Sequence, residues 1–303
     1  MKKLLLALWD FLHKAKKSFA DFLWCFFDFF YSKIKKPPIV ASVEETIDKL
    51  AEGRYSIARF GDGEIKLVAG KDISFQKATP FVVKKLREVL SCDVDGLLVG
   101  VADIFGDRSR YSEKANLYWK NHLHRYRKVW YKYLRKNKKY YNASMTRQYI
   151  SLKDRSRGIS IYNRMKKIWN GKDIVFIEGE KSRMGVGNDL FADAKSIKRI
   201  LAPSTQAFKK YDEVLKEAMK FEKDTLFLIA LGPAATALAY DLHLNGYQAV
   251  DIGHVDVEYE WLLMNAESKM PIKNKMVFEA QSNSAVEDCE DEEYLSQIVA
   301  KIL

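Results

Sequence analysis

Cysteine is scarce in this chain of 303 residues: Cys25, Cys92 and Cys289 stand far apart, and no two form a C-x-x-C pair. That excludes a thiolate zinc site and a disulfide framework, and it fits a reducing compartment, so a cytoplasmic protein is expected. With only 15 glycines and 6 prolines there is no material for a long flexible linker. The most apolar region is the N-terminus, yet its uncharged runs, such as Leu4–Trp9 and Phe22–Phe27, fall far short of the ~18–20 residues of a spanning helix. A signal peptide is not expected either, because Asp10 interrupts the apolar stretch and no small-residue cleavage site follows. Neither G-x-G-x-x-G nor a P-loop occurs, which argues against dinucleotide and ATP binding.

The net charge of +11 is unevenly placed. Residues 1–36 carry +5 and residues 108–139 carry +11, leaving the remainder at −5. The body that holds the candidate chemistry is therefore mildly acidic, and no nucleic-acid partner is assigned to it. Segment 108–139 interleaves cations with Tyr118, Trp119, Tyr126, Trp130 and Tyr131. Three readings fit it: a nucleic-acid surface, a face turned to an anionic membrane or polyanion, or a solvated helix that buries its aromatics.

Residues 1–36 form one unit. Lys3, Asp10, Lys14, Lys17, Asp21 and Asp28 recur at helical spacing and make a narrow polar stripe beside a broad Leu/Phe/Trp face. Such a helix lies in a membrane interface, or packs on its own domain or on a second subunit. Lys35-Lys36-Pro37-Pro38 ends it, and residues 37–303 make one catalytic domain. There, apolar strands (Asp173–Ile177, Arg199–Ala202, Thr225–Leu231, Ala249–Ile252) alternate with helices (Asp189–Ile197, Gln206–Phe221, Pro233–Leu244). Further up the chain, Val43–Glu52, Thr79–Leu90 and Ser112–Lys136 read as helices, and Tyr55–Phe60 and Gly96–Val101 as strands. The pattern predicts an α/β fold, a Rossmann-like, mostly parallel sheet with flanking helices.

Four motifs fall at predicted strand ends, where open α/β sheets bind ligands. In Arg59-Phe60-Gly61-Asp62-Gly63-Glu64, the glycines predict a tight turn that exposes two carboxylates. Such oxygens, joined by substrate phosphates, suit Mg2+ or Mn2+. In the run 178–189, Gly185 and Gly187 would let backbone approach a phosphate, Arg183 would grip its oxygens, and Asn188 or Asp189 would cap a helix. Leu231-Gly232-Pro233 starts another helix. In 251–261, His254, Asp256, Glu258 and Glu260 share one face if extended, whereas on a helix His254, Glu258 and Trp261 do. Such crowding of ionisable groups marks a site.

The blocks ARFGDGE (58–64), EGEKSRMGVGNDLF (178–191), RILAPSTQAF (199–208), LGPAATALAYDL (231–242) and DIGHVDVEYEW (251–261) resemble the bacterial GT-D glycosyltransferases over roughly residues 40–270. That family was long catalogued as a domain of unknown function. The resemblance implies a UDP-sugar donor and a Mn2+ or Mg2+ ion at Asp62 and Glu64, with Arg59 beside them. It puts Arg183, Asn188 and Asp189 in the nucleotide loop and His254, Asp256 and Glu260 in the catalytic loop. Glu260 is the expected base toward an acceptor hydroxyl, on a glycan, lipid-linked or protein-linked, in cell-surface polysaccharide or glycoprotein synthesis. The N-terminal unit would hold the enzyme on the inner face of the plasma membrane or join it into a homo-oligomer. A methyltransferase using S-adenosylmethionine, which needs no metal, and a non-catalytic membrane- or nucleic-acid-binding protein are the alternatives.

Overall fold

The computed structural model describes residues 26, 28–32, 34–280 and 286–303. Its strands are β1 (Ile39–Val40), β2 (Ser56–Phe60), β3 (Leu97–Val101), β4 (Lys139–Asn142), β5 (Asp173–Gly179), β6 (Ser196–Ala202), β7 (Leu226–Ala230), β8 (Gln248–Asp251) and β9 (Ile298–Lys301). They make one nine-stranded sheet in the order β1-β4-β3-β2-β8-β7-β5-β6-β9. Every pairing between these nine strands is parallel. The predicted Rossmann-like architecture is the observed one. β3 and β7 are apolar because both faces of the sheet are covered, so alternation along the strand would place polar groups in a core.

The helices are α1 (Val43–Ala51), α2 (Asp62–Val68), α3 (Pro80–Ser91), α4 (Glu113–Tyr133), α5 (Gly158–Lys166), α6 (Tyr211–Ala218), α7 (Pro233–Leu244), α8 (Val255–Leu263) and α9 (Glu292–Ser296). Helices α2, α3, α4, α6 and α7 pack in one core, with Ile65, Leu86, Trp130, Val214 and Leu238. Helices α1, α5 and α8 pack in the other, with Leu50, Met165 and Trp261. Alternate strand residues divide between the two: Phe227 and Ile229 face the first, Leu226 and Leu228 the second.

Three predicted elements differ. Gly61-Asp62-Gly63-Glu64 is the start of α2 and not a turn. Gly61 is the extended N-cap, and the Glu64 carboxylate at the third helical position accepts the Gly61 N–H at 2.8 Å. The helix expected over Asp189–Ile197 is absent. Asn188 Oδ1 takes the Leu190 N–H in a local turn, and β6 already begins at Ser196. The Gln206–Phe221 helix is split into a 3-10 turn, Ala207–Lys210, and the shorter α6. Strands β1, β4 and β9 and helix α5 had no clear sequence signal.

The expectations for residues 1–25 lie outside the described residues. Residues 28–32 are helical, and Asp28 does not face water as the polar stripe implied. It is buried against α4 and pairs with Arg127, Nε to Oδ1 2.5 Å, while Tyr31 meets Tyr131 edge-on at 5.7 Å. Phe26, Phe29, Phe30 and Ile34 remain exposed. In α4, Trp130 and His122 are buried and bonded to each other, so much of the aromatic content of segment 108–139 serves packing. Among the described residues no helix is long and apolar enough to cross a membrane.

Candidate active site at the strand switch point

β2 and β8 are parallel neighbours, yet the helices that follow them, α2 and α8, enter opposite cores. Chain direction therefore splits between them, and the crevice expected beyond their carboxyl ends is the usual ligand position in an open α/β sheet. A separate depression lined by Lys172, Lys195, Lys223 and His243 lies at the amino ends of the strands.

Arg59, expected beside the diphosphate, instead ties the crevice together. Its Nη2 pairs with Asp251 Oδ1 at 2.8 Å, its Nε donates to the Asp251 carbonyl, and its Nη1 donates to Ala143 O and Thr146 Oγ1. β2, β8 and the turn after β4 are thereby held by one guanidinium. The arrangement requires Gly253, where φ is +47° and a Cβ would sit 2.2 Å from Arg59 Nη2. Thr236 on α7 donates to Arg59 O at 2.8 Å, which gives the Gly232-Pro233 helix start a packing role.

Asp62 opens α2 at the rim. Its Oδ2 receives Lys66 Nζ at 2.6 Å and the Tyr118 hydroxyl, and no hydrogen bond of the described residues reaches its Oδ1. Glu64 is half-buried; burial, together with the Asp251 and Asp62 carboxylates, pushes it up to about 7. Asp62 and Glu64 both carry hard oxygen donors, the ligand type that suits Mn2+ or Mg2+. No cluster of three or more His, Cys, Asp or Glu able to hold a metal occurs among the described residues. An ion held by Asp62 and Glu64 would need its remaining ligands from phosphate and water oxygens.

The 251–261 motif resolves as α8, which divides its ionisable groups by helical spacing. His254 and Glu258 turn toward Arg147, Nη2 to His254 Nδ1 3.0 Å and Nη1 to Glu258 Oε1 3.6 Å. Burial and the Arg147 charge push His254 down to about 4, so it is neutral at pH 7. Arginine can only donate, so Nδ1 accepts and the proton sits on Nε2, which makes the other ring nitrogen a donor. Asp256 and Glu260 turn the other way. Lys275 Nζ reaches Asp256 Oδ2 at 2.7 Å and Glu260 Oε1 at 3.1 Å, and Asn188 Nδ2 bridges both carboxylates. Asp256 is fully buried and Glu260 is 8% exposed. A carboxylate so enclosed does not suit a base that meets a substrate hydroxyl, so the geometry makes both of them positioning residues.

The glycine loop is likewise tied inward. Gly185 N–H donates to Asp256 Oδ1 at 2.9 Å, and Arg183 is buried, donating to Asn274 O and Glu287 O. Asp189 pairs with Lys166 and accepts the Tyr259 hydroxyl, and it caps no helix. The expected phosphate grip by Arg183, Gly185, Asn188 and Asp189 is thus replaced by a structural clasp. Gly187, with φ +85° and open space around it, is the member that faces outward.

The sequence reading missed Arg147 and Glu279. Arg147 Nη2 lies 2.5 Å from Glu279 Oε1 and Nη1 lies 3.2 Å from Oε2; Lys269 donates to the same carboxylate. The two charges also act on the Tyr118 hydroxyl, so they share the crevice with Asp62. Neither belongs to a motif, and they stand 132 residues apart.

Comparisons with known proteins show the family and the fold. The family profile described as glycosyltransferase GT-D fold matches residues 57–280. Glycosyltransferase GlyD of Streptococcus pneumoniae is 39% identical over 265 residues, 87% of this chain and 32% of the relative. The probable glycosyl transferase Gly of Streptococcus gordonii is 39% identical over 273 residues, 87% of this chain and 39% of the relative. The chain thus spans about a third of the length of these curated relatives. A solved domain described as having a distinct glycosyltransferase fold superposes with a TM-score of 0.87 at 38% identity, covering 91% of this chain and all of that one. A structure described as a new glycosyltransferase from Streptococcus sanguinis gives 0.84 at 38% identity, over 88% of this chain and all of its own.

Proposed function

The chain belongs to the glycosyltransferase GT-D fold family, and from that premise we propose that it moves a sugar from a UDP-sugar to an acceptor hydroxyl with Mn2+ or Mg2+ at Asp62 and Glu64. One observation supports the reading: α2, which follows β2, opens with the carboxylates Asp62 and Glu64, and the Asp62 charge acts on Arg147, itself tied to Glu279, as is Lys269. A bound divalent ion would offset charge on the departing diphosphate. Asp62 and Glu64 would hold that ion, and Arg147, Lys269 and the Nε2–H of His254 would face the phosphate oxygens. With Glu260 enclosed, the carboxylates that can meet substrate are Asp62, Glu64 and Glu279.

A thermal-shift screen tests the proposal. UDP-sugars should raise the melting temperature only with Mn2+ or Mg2+ present, since ligands stabilise the state they bind. Stabilisation by S-adenosylmethionine, or by no nucleotide sugar at all, would overturn the reading.

The acceptor is proposed to be a glycan, lipid-linked or protein-linked, met at the inner face of the plasma membrane. Phe26, Phe29 and Phe30 are 49%, 58% and 50% exposed beside an apolar N-terminal segment. Replacing all three by serine should weaken cosedimentation with anionic vesicles on the order of tenfold or more, since each buried Phe contributes roughly 2 kcal/mol. Unchanged sedimentation would remove this anchor, and a loss of dimers without vesicle binding would point to oligomerisation instead.

A further inference from the structure

A carboxylate of the protein sits where an anionic ligand belongs. Glu279 lies on the 3-10 turn Phe278–Ala280. Its two oxygens face both terminal nitrogens of Arg147 at 2.5 and 3.2 Å, and Lys269 donates to one of them. His254 Nε2, the proton-bearing nitrogen, is 3.8 Å from Glu279 Oε1. Two cations and a neutral donor therefore converge on one carboxylate in the switch-point crevice. Although burial opposes ionisation, Arg147 holds the Glu279 carboxyl far below its usual range, so it is an anion at neutral pH.

The turn that carries Glu279 is flanked by Val277, buried in the core, and by Ala280, packed against that core. Met276 N–H donates to Lys181 O at 2.9 Å, and Phe278 stacks on Phe75 at 5.5 Å while remaining 44% exposed. It crosses the carboxyl edge of the sheet as a strap, and Glu279 is the group through which it meets the cations of the crevice. Arg147 already faces a second, buried carboxylate, Glu258, whose Oε1 has no hydrogen-bond partner. A diphosphate could not share this pocket with both carboxylates, because adjacent like charges in a desolvated site repel strongly.

Building on the donor reading above, we propose that Arg147, Lys269 and His254 form a diphosphate-binding pocket that Glu279 occupies as an internal stand-in until donor arrives. Entry of the diphosphate displaces the Glu279 carboxylate from these cations, while Val277 keeps the turn seated on the core. Glu279 thereby gates access, and its charge sets how tightly the anion must bind to displace it.

Calorimetric titration of the full chain with UDP and Mn2+, and separately with inorganic pyrophosphate, tests this. Glu279→Gln removes the competing charge and should tighten both ligands, on the order of tenfold. Glu279→Asp should bind like the parent, and Arg147→Lys, which loses the bidentate fork, should weaken both. Pyrophosphate should also raise the melting temperature of Glu279→Gln more than that of the parent. Weaker or unchanged binding in Glu279→Gln, with the parent binding UDP normally, would show Glu279 to be a permanent brace for Arg147 and overturn the gate. If the parent binds pyrophosphate but not UDP, the donor assignment fails while the pocket stands. If it binds neither, both fall.

Discussion

Asp62→Asn is expected to lower sugar transfer by roughly 10²–10⁴, because one ligand and one charge vanish from the transition state. The fold should tolerate the change. Asp62 is on the rim, and its pairing with Lys66 spans i to i+4 near the surface, a kind of contact that contributes about 0.5 kcal/mol or less. Glu64 needs a sharper test, since its carboxylate also caps α2 through Gly61 N–H. Glu64→Gln keeps an acceptor for that N–H, as glutamine serves at the same capping position, but removes the charge. Both variants should melt within a few degrees of the parent and lose turnover, with the loss chiefly in kcat. Full activity in EDTA, or in the doubly substituted protein, would take the metal out of the reaction.

What could be read from the residues followed from how each signal arises. β3, β7 and the 174–177 run of β5 were legible because covering both faces of a sheet favours apolar side chains, and periodicity records that directly. Gly61-Asp62-Gly63-Glu64 was located as a site but misread as a turn, since glycine at an N-cap and glycine in a turn look alike in sequence. The alternation of His254, Asp256, Glu258 and Glu260 left two geometries open. The helix pairs residues four apart, so His254 and Glu258 share Arg147 while Asp256 and Glu260 share Lys275. Arg147 and Lys275 act through contacts made across the fold, and no local pattern marks them. The glycine loop misled for the same reason. Its spacing fits a phosphate cradle, but the Gly185 N–H is taken by Asp256 from a helix 71 residues away.

That buried network carries the second large effect. Lys275 is 4% exposed and Asp256 fully buried, and the ammonium is shared between Asp256 and Glu260. Lys275→Met strands two carboxylates side by side without a cation. Removing one partner of a buried pair costs about 3–5 kcal/mol, which in a chain of this size corresponds to a melting temperature lower by roughly 10 °C. Adding Asp256→Asn and Glu260→Gln to Lys275→Met should restore part of the loss, because no bare charge then remains. The single substitution Glu260→Gln separates support from chemistry. It keeps an oxygen for Asn188 Nδ2 and Lys275, so a positioning role predicts a modest loss of stability, about 1–2 kcal/mol, and turnover close to the parent below the melting range. A catalytic base would show the reverse, an unchanged melting curve with kcat reduced ~100-fold or more. That second outcome would return Glu260 to the acceptor and require the Lys275 pair to open during the reaction.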